Sequence, residues 1–304
     1  MPESEREEPH STRDPQAVEA RRMFSAMIAR PDARIDVAEA CLWIAAEEHP
    51  GLDVAAYLAR LDELATRVRR RFELAKAHRS NADSDELALE ALHTVLFIDE
   101  GFRGAIGDEY QQPRSSFMDD VLDRRRGLPI LLSIVYCAVA TRAGMDAVGI
   151  GLPGHFIAEF RGNGMHVLVD PYNLGRRLTH SECEELVRVT TGRKAPLLSH
   201  HVQAQPPRAI IFRVLSNLKN AYMRQRAHAK ALDVVERILR LSPSAEQVRD
   251  RGLLLRQVPM PRAVNLTAAW LDLSLYARVM PEAPDASRVT EIADGIWKQL
   301  GRMN

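Results

Sequence analysis

Residues 130–143 are apolar around nearly the whole helical circumference (Ile130, Leu131, Leu132, Ile134, Val135, Tyr136, Cys137, Ala138, Val139 and Ala140), with no internal Gly or Pro. The pattern predicts a buried helix. Gly127 and Pro129 mark its start, proline suiting a first turn where a missing N–H costs nothing, and Gly144 follows as a natural C′ residue. Three short apolar runs come next, 147–150, 156–160 and 167–169, split by Gly151, by Pro153 with Gly154, and by Gly162, Asn163 and Gly164. These are strand and turn signals, so the segment predicts one central helix packed on a small antiparallel sheet.

Upstream, 17–28, 35–47 and 54–76 carry apolar residues at three-and-four spacing, separated by Pro31 with Asp32 and by Pro50 with Gly51, and read as helices. Ser84 is placed to cap a further helix through Ile98, with Leu87, Leu92, Val95 and Leu96 as its buried stripe. Residues 101–116, containing Gly, Gln and Pro, read as a loop reaching the region ahead of Pro129. In the last third, Leu215, Leu218, Lys219, Tyr222, Ala231, Val235, Ile238 and Pro243 fall at the spacing of one tetratricopeptide unit, two helices with the small Ala231 where they cross. A looser copy begins near Glu246, with Gly252, Leu255, Ala269, Asp272 and Pro281, its turn lengthened by residues 258–264. The amphipathic segment 287–300 suits a cap on the stack. Hairpins of this kind cannot bury their apolar faces alone, so the two repeats are expected to dock on the preceding domain.

Composition restricts the function class modestly. The 304 residues are 46% hydrophobic, with 41 Lys plus Arg against 41 Asp plus Glu. That length favours two domains, each with apolar material for a core, and the charge balance leaves no overall footprint for nucleic acid or an anionic membrane. The short basic runs 67–71 and 124–126 have acidic residues nearby and read as solvated or salt-bridged surface. Residues 1–15 are polar with no apolar h-region, and no run reaches spanning length; a disordered tail and a cytoplasmic protein are expected. Cys41, Cys137 and Cys183 are odd in number and lack metal-ligand spacing, as reduced, mostly buried thiols do.

Chemistry enters with Gly154, His155 and Phe156 at the head of the second run and Val169, Asp170 and Pro171 at the end of the third. Helix, strand, a strand bearing His155 and a strand ending in Asp170 together resemble the transglutaminase-like core of the papain-like cysteine hydrolases. In that family a Gly-x-Cys step puts the thiol at the N-terminus of the central helix, where the helix dipole and an imidazole lower its pKa. The resemblance implies that His155 and Asp170 are the retained partners and that Pro129, after Gly127 and Leu128, occupies the cysteine position. Proline carries no nucleophile. The wider stretch is similar to one branch, the bacterial SirB1-like proteins, in which tetratricopeptide repeats follow the core. Gly101 to Gly104, Tyr110, residues 117–123, residues 125–130, Ser133, Tyr136, residues 151–156 and residues 169–172 carry that match. Ala105 stands where the pattern commonly has Asn, and Ser115 with Ser116 where it has Asn-Ser; both departures fall in the loop before the central helix.

The expectation is therefore an α+β fold, predominantly helical. It comprises a disordered tail (1–16), a SirB1-like, transglutaminase-like domain with a helical N-terminal region and a small antiparallel sheet (17–205), and tetratricopeptide-like hairpins (206–304). Without a thiol, the His155 and Asp170 pair reads as a structural pair, a ligand site or a catalytic remnant. Ser133 and Cys137 lie one and two turns after Pro129 and read as core positions, Ser133 satisfied by a carbonyl of the preceding turn. Cys183 follows a Thr179 and Glu182 capping box, a position that could depress its pKa, though nothing in the sequence sets it beside His155. His155, His166, Asp170, His200 and His201 show no metal-ligand spacing, so neither metal nor cofactor is expected.

Three readings follow. The favoured one is a non-catalytic interaction module that holds a protein or peptide partner, with no direct nucleic-acid contact and no membrane, homo-oligomerisation being left open. Its candidate contacts are Tyr110, Arg125, Arg126 and His155 around the groove, and Asn217, Asn220 and Tyr222 on the first repeat helix. Against these, Arg125 or Arg126 could simply anchor a loop through carbonyls, and Tyr222 suits a repeat core. The alternative is a residual hydrolase or acyltransferase using His155 and Asp170 with a substituted nucleophile. A third is a scaffold in which only the N-terminal helices bind.

Overall fold

The computed structural model describes residues 14–192, 197, 202–259 and 261–303. Residues 1–13 of the expected tail, and His200 and His201, lie outside the described residues. The chain divides into two compact units, residues 14–214 and residues from 215 onward.

The first unit opens with four helices, α1 (Pro15–Ile28), α2 (Val37–Glu48), α3 (Val54–His78) and α4 (Ser84–His93). Each begins at an aspartate, Asp14, Asp36, Asp53 or Asp83, whose carboxylate accepts a first-turn N–H that the helix cannot satisfy itself. Asp83, not Ser84, is thus the cap of α4, its carboxylate accepting from both Asp85 and Glu86. α4 runs on into one π turn, Thr94–Asp99. The segment expected as a loop, 101–116, is partly regular: strand β1 (Arg103–Gly104), helix α5 (Asp108–Gln111) and a 3-10 turn, Pro113–Ser116. After α6 (Met118–Arg124), strand β2 (Arg126–Gly127) pairs in parallel with β1. Two-residue strands leave no period to read, which is why neither was legible beforehand.

The central helix α7 (Pro129–Arg142) is buried on almost every face, as its apolar pattern requires. It packs on an antiparallel sheet of β3 (Asp146–Leu152), β4 (His155–Arg161), β5 (His166–Asp170) and β6 (Arg176–Leu178), in that order. β6 was not anticipated; its Arg176, Arg177 and Leu178 lack an apolar run. One sheet face joins Phe156, Ala158, Phe160 and Val169 to α7 and to Leu61, Leu89 and Leu92 of the N-terminal helices in one core. The other face joins Ile150, Leu152 and Ile157 to Cys183 and Val187 of α8 (His180–Thr191), whose Thr179 and Glu182 capping box forms as the sequence predicts. α9 (Pro207–Arg224) begins in this unit, where Ile210 and Val214 enter the α7 core.

The second unit takes the rest of α9, then α10 (His228–Leu241), α11 (Ala245–Leu255), α12 (Arg262–Val279) and α13 (Ala286–Leu300). Ala231 is fully buried, as the crossing of a repeat hairpin requires. Gly252 lets α11 approach α12: a Cβ there would sit 2.9 Å from Leu273 Cγ. Arg251 meets Asp272 through two 2.7 Å bonds, and Tyr276 donates to Asp285 at 2.6 Å, tying α11, α12 and the start of α13 together. Among the described residues no helix is long and apolar enough to cross a membrane.

Candidate functional site

His155 is the first residue of β4, presented by the turn through Gly154, whose φ of +73° is a left-handed conformation that glycine adopts freely. Its Nε2 lies 3.1 Å from Asp170 Oδ2 and 3.2 Å from Oδ1. Asp170 ends β5 and does more than face the imidazole. Oδ1 accepts the Tyr172 backbone N–H at 3.0 Å, and Oδ2 accepts the Asn173 side-chain amide at 2.7 Å. The carboxylate therefore caps the 3-10 turn Pro171–Asn173 while it orients the histidine. Burial, with 1% exposure, pushes the Asp170 carboxyl upward, but the hydrogen bond and charge of His155, with the Asn173 bonds, outweigh it and hold the pKa below the usual carboxylate value.

A chain of aromatic rings leads outward from this pair. The His155 ring meets Tyr172 edge-on at 5.8 Å, and Tyr172 meets Tyr110 edge-on at 6.2 Å. Tyr172 donates its hydroxyl to the Ala105 carbonyl and lies so close over Gly104 that any Cβ there would enter its ring. Tyr110 itself is 40% exposed. Of the residues named from sequence, Tyr110, His155 and Asp170 are thus joined through Tyr172. Arg126 reaches the same neighbourhood through Glu109, at 3.8 Å. Arg125 caps α6 in a left-handed conformation and pairs with Glu100 at 2.8 Å, so it anchors a carboxylate and not a carbonyl. Asn217 and Asn220 lie on α9 in the second unit, Asn220 exposed and Asn217 partly so.

The possible nucleophiles are placed elsewhere. Pro129 is the buried first residue of α7, and no side chain caps that helix. Ser133 donates to the Phe156 carbonyl at 3.4 Å, across to β4 instead of back along its own helix. Among the described residues, no hydroxyl or thiol hydrogen-bonds His155. Burial pushes Cys137 up to about 12 and Cys183 up to about 11, the latter helped by the negative field of Asp170 and Glu182. Burial thus moves Cys183 in the direction opposite to the helix-start effect expected of it. Burial raises Cys41 as well.

Sequence reasoning missed two contributors. Asn173 gave no signal, because its role exists only once Asp170 caps the turn. Arg213 did give one: it stands on α9 among Ile210, Ile211, Val214 and Leu215, a charge flanked by buried apolar residues. Its Nη2 donates to the carbonyls of Leu152 at 2.9 Å and His155 at 2.6 Å, and the guanidinium lies 5.3 Å from the Phe156 ring centroid.

A central helix on an antiparallel sheet, with His and Asp on adjoining strands, defines a transglutaminase-like protein. The family profile of the transglutaminase-like superfamily matches residues 55–216, and that of the tetratricopeptide repeat matches residues 218–294. A UPF0162 protein of Xylella fastidiosa (strain 9a5c) is 30% identical over 88% of this chain and 92% of its own length. A UPF0162 protein of Pseudomonas aeruginosa is 32% identical over 82% of this chain and 92% of its own. Protein SirB1 of Salmonella typhimurium is 27% identical over 77% and 87%. The chain belongs to this family of transglutaminase-like proteins with C-terminal tetratricopeptide repeats, to which the UPF0162 and SirB1 proteins are related. No solved structure matches it.

Proposed function

We propose that this protein is a non-catalytic transglutaminase-like module that binds a protein or peptide partner, with Pro129 standing at the position of the nucleophile. The observation that carries this reading is the first turn of α7. It presents a proline to solvent-excluded surroundings, while the His155 and Asp170 pair has no thiol or hydroxyl to activate among the described residues. A general base without a nucleophile in hydrogen-bond reach performs no acyl transfer. Buried thiols with raised pKa values do not substitute for it.

What remains is a recognition surface. Tyr110, exposed and backed by Tyr172, supplies rigid aromatic area, the kind of side chain that dominates binding energy at protein interfaces. The repeat helices supply a second surface on which Asn217 and Asn220 are candidate contacts. The reading is tested with the full chain on a panel of fluorogenic amide and ester substrates, beside its His155→Ala variant. Equal background rates are expected. Turnover that the His155→Ala substitution abolishes would overturn the non-catalytic assignment.

A further inference from the structure

Among the described residues of 14–214, every other arginine that is at least partly shielded meets a carboxylate. Arg21 pairs with Glu47, Arg124 and Arg126 with Glu109, Arg142 with Asp36, Arg161 with Glu159 and Arg208 with Asp32. Arg213 is partly buried and has no carboxylate partner among the described residues. A guanidinium keeps its charge at any ordinary pH, so its partial desolvation is not relieved by losing a proton. The Phe156 face and two carbonyls offset part of that cost.

Those contacts also leave donors over. Both carbonyls are met by Nη2, and Nη1 has no protein acceptor among the described residues, yet it is not sealed from solvent. A strut that only held the β3–β4 turn would need nothing beyond Nη2. Nη1 is further given room by Gly151, where an added Cβ would lie 3.2 Å from it and 3.1 Å from Gln205 Cγ. The Tyr110 phenol lies within electrostatic range of the guanidinium, and the Tyr110, Tyr172 and His155 rings form the wall described above.

We propose that Arg213 Nη1, with the Tyr110 hydroxyl, receives an oxyanion, a carboxylate or a phosphate, carried by the molecule that seats against Tyr110 and Tyr172. This rests on the reading of that face as a binding surface and adds the charge its ligand must carry. Because Nη2 is committed to the carbonyls, the contact is to one oxygen through Nη1 and not a two-pronged clamp. It therefore selects for negative charge more than for carboxylate or phosphate geometry.

The test follows arginine side-chain resonances of the isotopically labelled full chain by NMR. The chain is titrated separately with inorganic phosphate, sodium acetate and sodium chloride at matched ionic strength. The expected result is a saturable shift at Arg213 with phosphate or acetate, weakened about tenfold or more in Arg213→Gln and several-fold in Tyr110→Phe. Whichever of the two anions saturates at lower concentration identifies the source of the negative group. A shift at Arg213 no larger than chloride produces, or one matched at exposed Arg70, overturns the proposal. Tyr110→Phe keeps it refutable should Arg213→Gln fail to fold, since an undiminished affinity in that variant also counts against the site. The readout is a resonance and not a product, so its failure is separable from the appearance of turnover.

Discussion

Introducing a thiol at residue 129 tests the proposal that Pro129 stands at the nucleophile position. In Pro129→Cys the thiol occupies the first turn of α7, a helix with no side-chain cap, and two opposed influences act on it. Burial raises thiol pKa values in this protein, to about 12 at Cys137 and about 11 at Cys183, so desolvation alone would carry the introduced thiol upward. A helix N-terminus with an imidazolium beside it lowers a thiol from about 8.5 to roughly 3.5–7.5. The sign of the shift therefore reports whether His155 faces position 129.

The assay is the rate of iodoacetamide alkylation against pH, followed by intact mass, with and without His155→Ala. Taking a pKa of about 6, the thiolate fraction at about pH 5.5 is roughly a quarter, against roughly 0.1% for an ordinary thiol. A thiolate of lower pKa is intrinsically less nucleophilic by about 13-fold for that shift, leaving a net gain of about 20-fold. Near neutrality the two effects almost cancel, so the acid limb of the profile is the discriminating region. Losing proline at this position costs about 0.4–1 kcal/mol of chain-entropy stabilisation, small beside a typical domain stability of about 5–15 kcal/mol. A midpoint at or above the ordinary thiol value, or one indifferent to His155→Ala, refutes the assignment of Pro129 to the nucleophile position.

Other consequences concern the pair and the repeats. Asp170→Ala strands the His155 ring, the Tyr172 N–H and the Asn173 amide together, and should destabilise the first unit by about 3–5 kcal/mol, read as faster hydrogen exchange in α7 and β4. Because the folded pKa of Asp170 lies below its unfolded value, its contribution is complete above about pH 4, the unfolded carboxylate range, and is lost as pH falls from there through the folded value. The parent should then lose stability more steeply in that acid window than Asp170→Asn; parallel curves would show that the carboxylate is not the group that titrates. Asp272→Ala leaves Arg251 without its two-bond partner, and since Arg251 is 37% exposed and can rehydrate, a loss of about 1–3 kcal/mol is expected in denaturant unfolding followed by Trp270 and Trp297 fluorescence.

Much of the core was readable because its elements carry strong, local signals. A helix apolar on all sides admits only a buried position, and the three strands after it are separated by residues that turn. The pairing of His155 with Asp170 came from the resemblance to the transglutaminase-like core and not from the strand pattern itself. The signal failed where structure is short or where tertiary contacts choose the conformation. β1 and β2 contribute two residues each, the 101–116 segment is ordered by contacts such as Tyr172 with Ala105, and Asp83 displaced Ser84 as a cap by one residue. Arg125 and Arg126 illustrate a different limit. Sequence identifies them as available cations, but only the fold shows that Glu100 and Glu109 lie within ion-pair reach.

Two charged groups in contact with His155, Asp170 and Arg213, differ in what the fold asks of them. Asp170 accepts from the Tyr172 backbone and the Asn173 side chain as well as facing the imidazole, so it holds the turn that places Tyr172 over Gly104. A buried carboxylate so engaged takes His155 as its remaining partner. The contacts of Asp170 are thereby accounted for by the architecture. Arg213 is not accounted for in the same way: its carbonyl bonds occupy one nitrogen, and its charge meets no carboxylate among the described residues. If a ligand is to gain from this face, the favourable electrostatic contact is with that uncompensated cation, while Tyr110 contributes apolar area. The proposed recognition of a negative group thus rests on the guanidinium neighbouring His155.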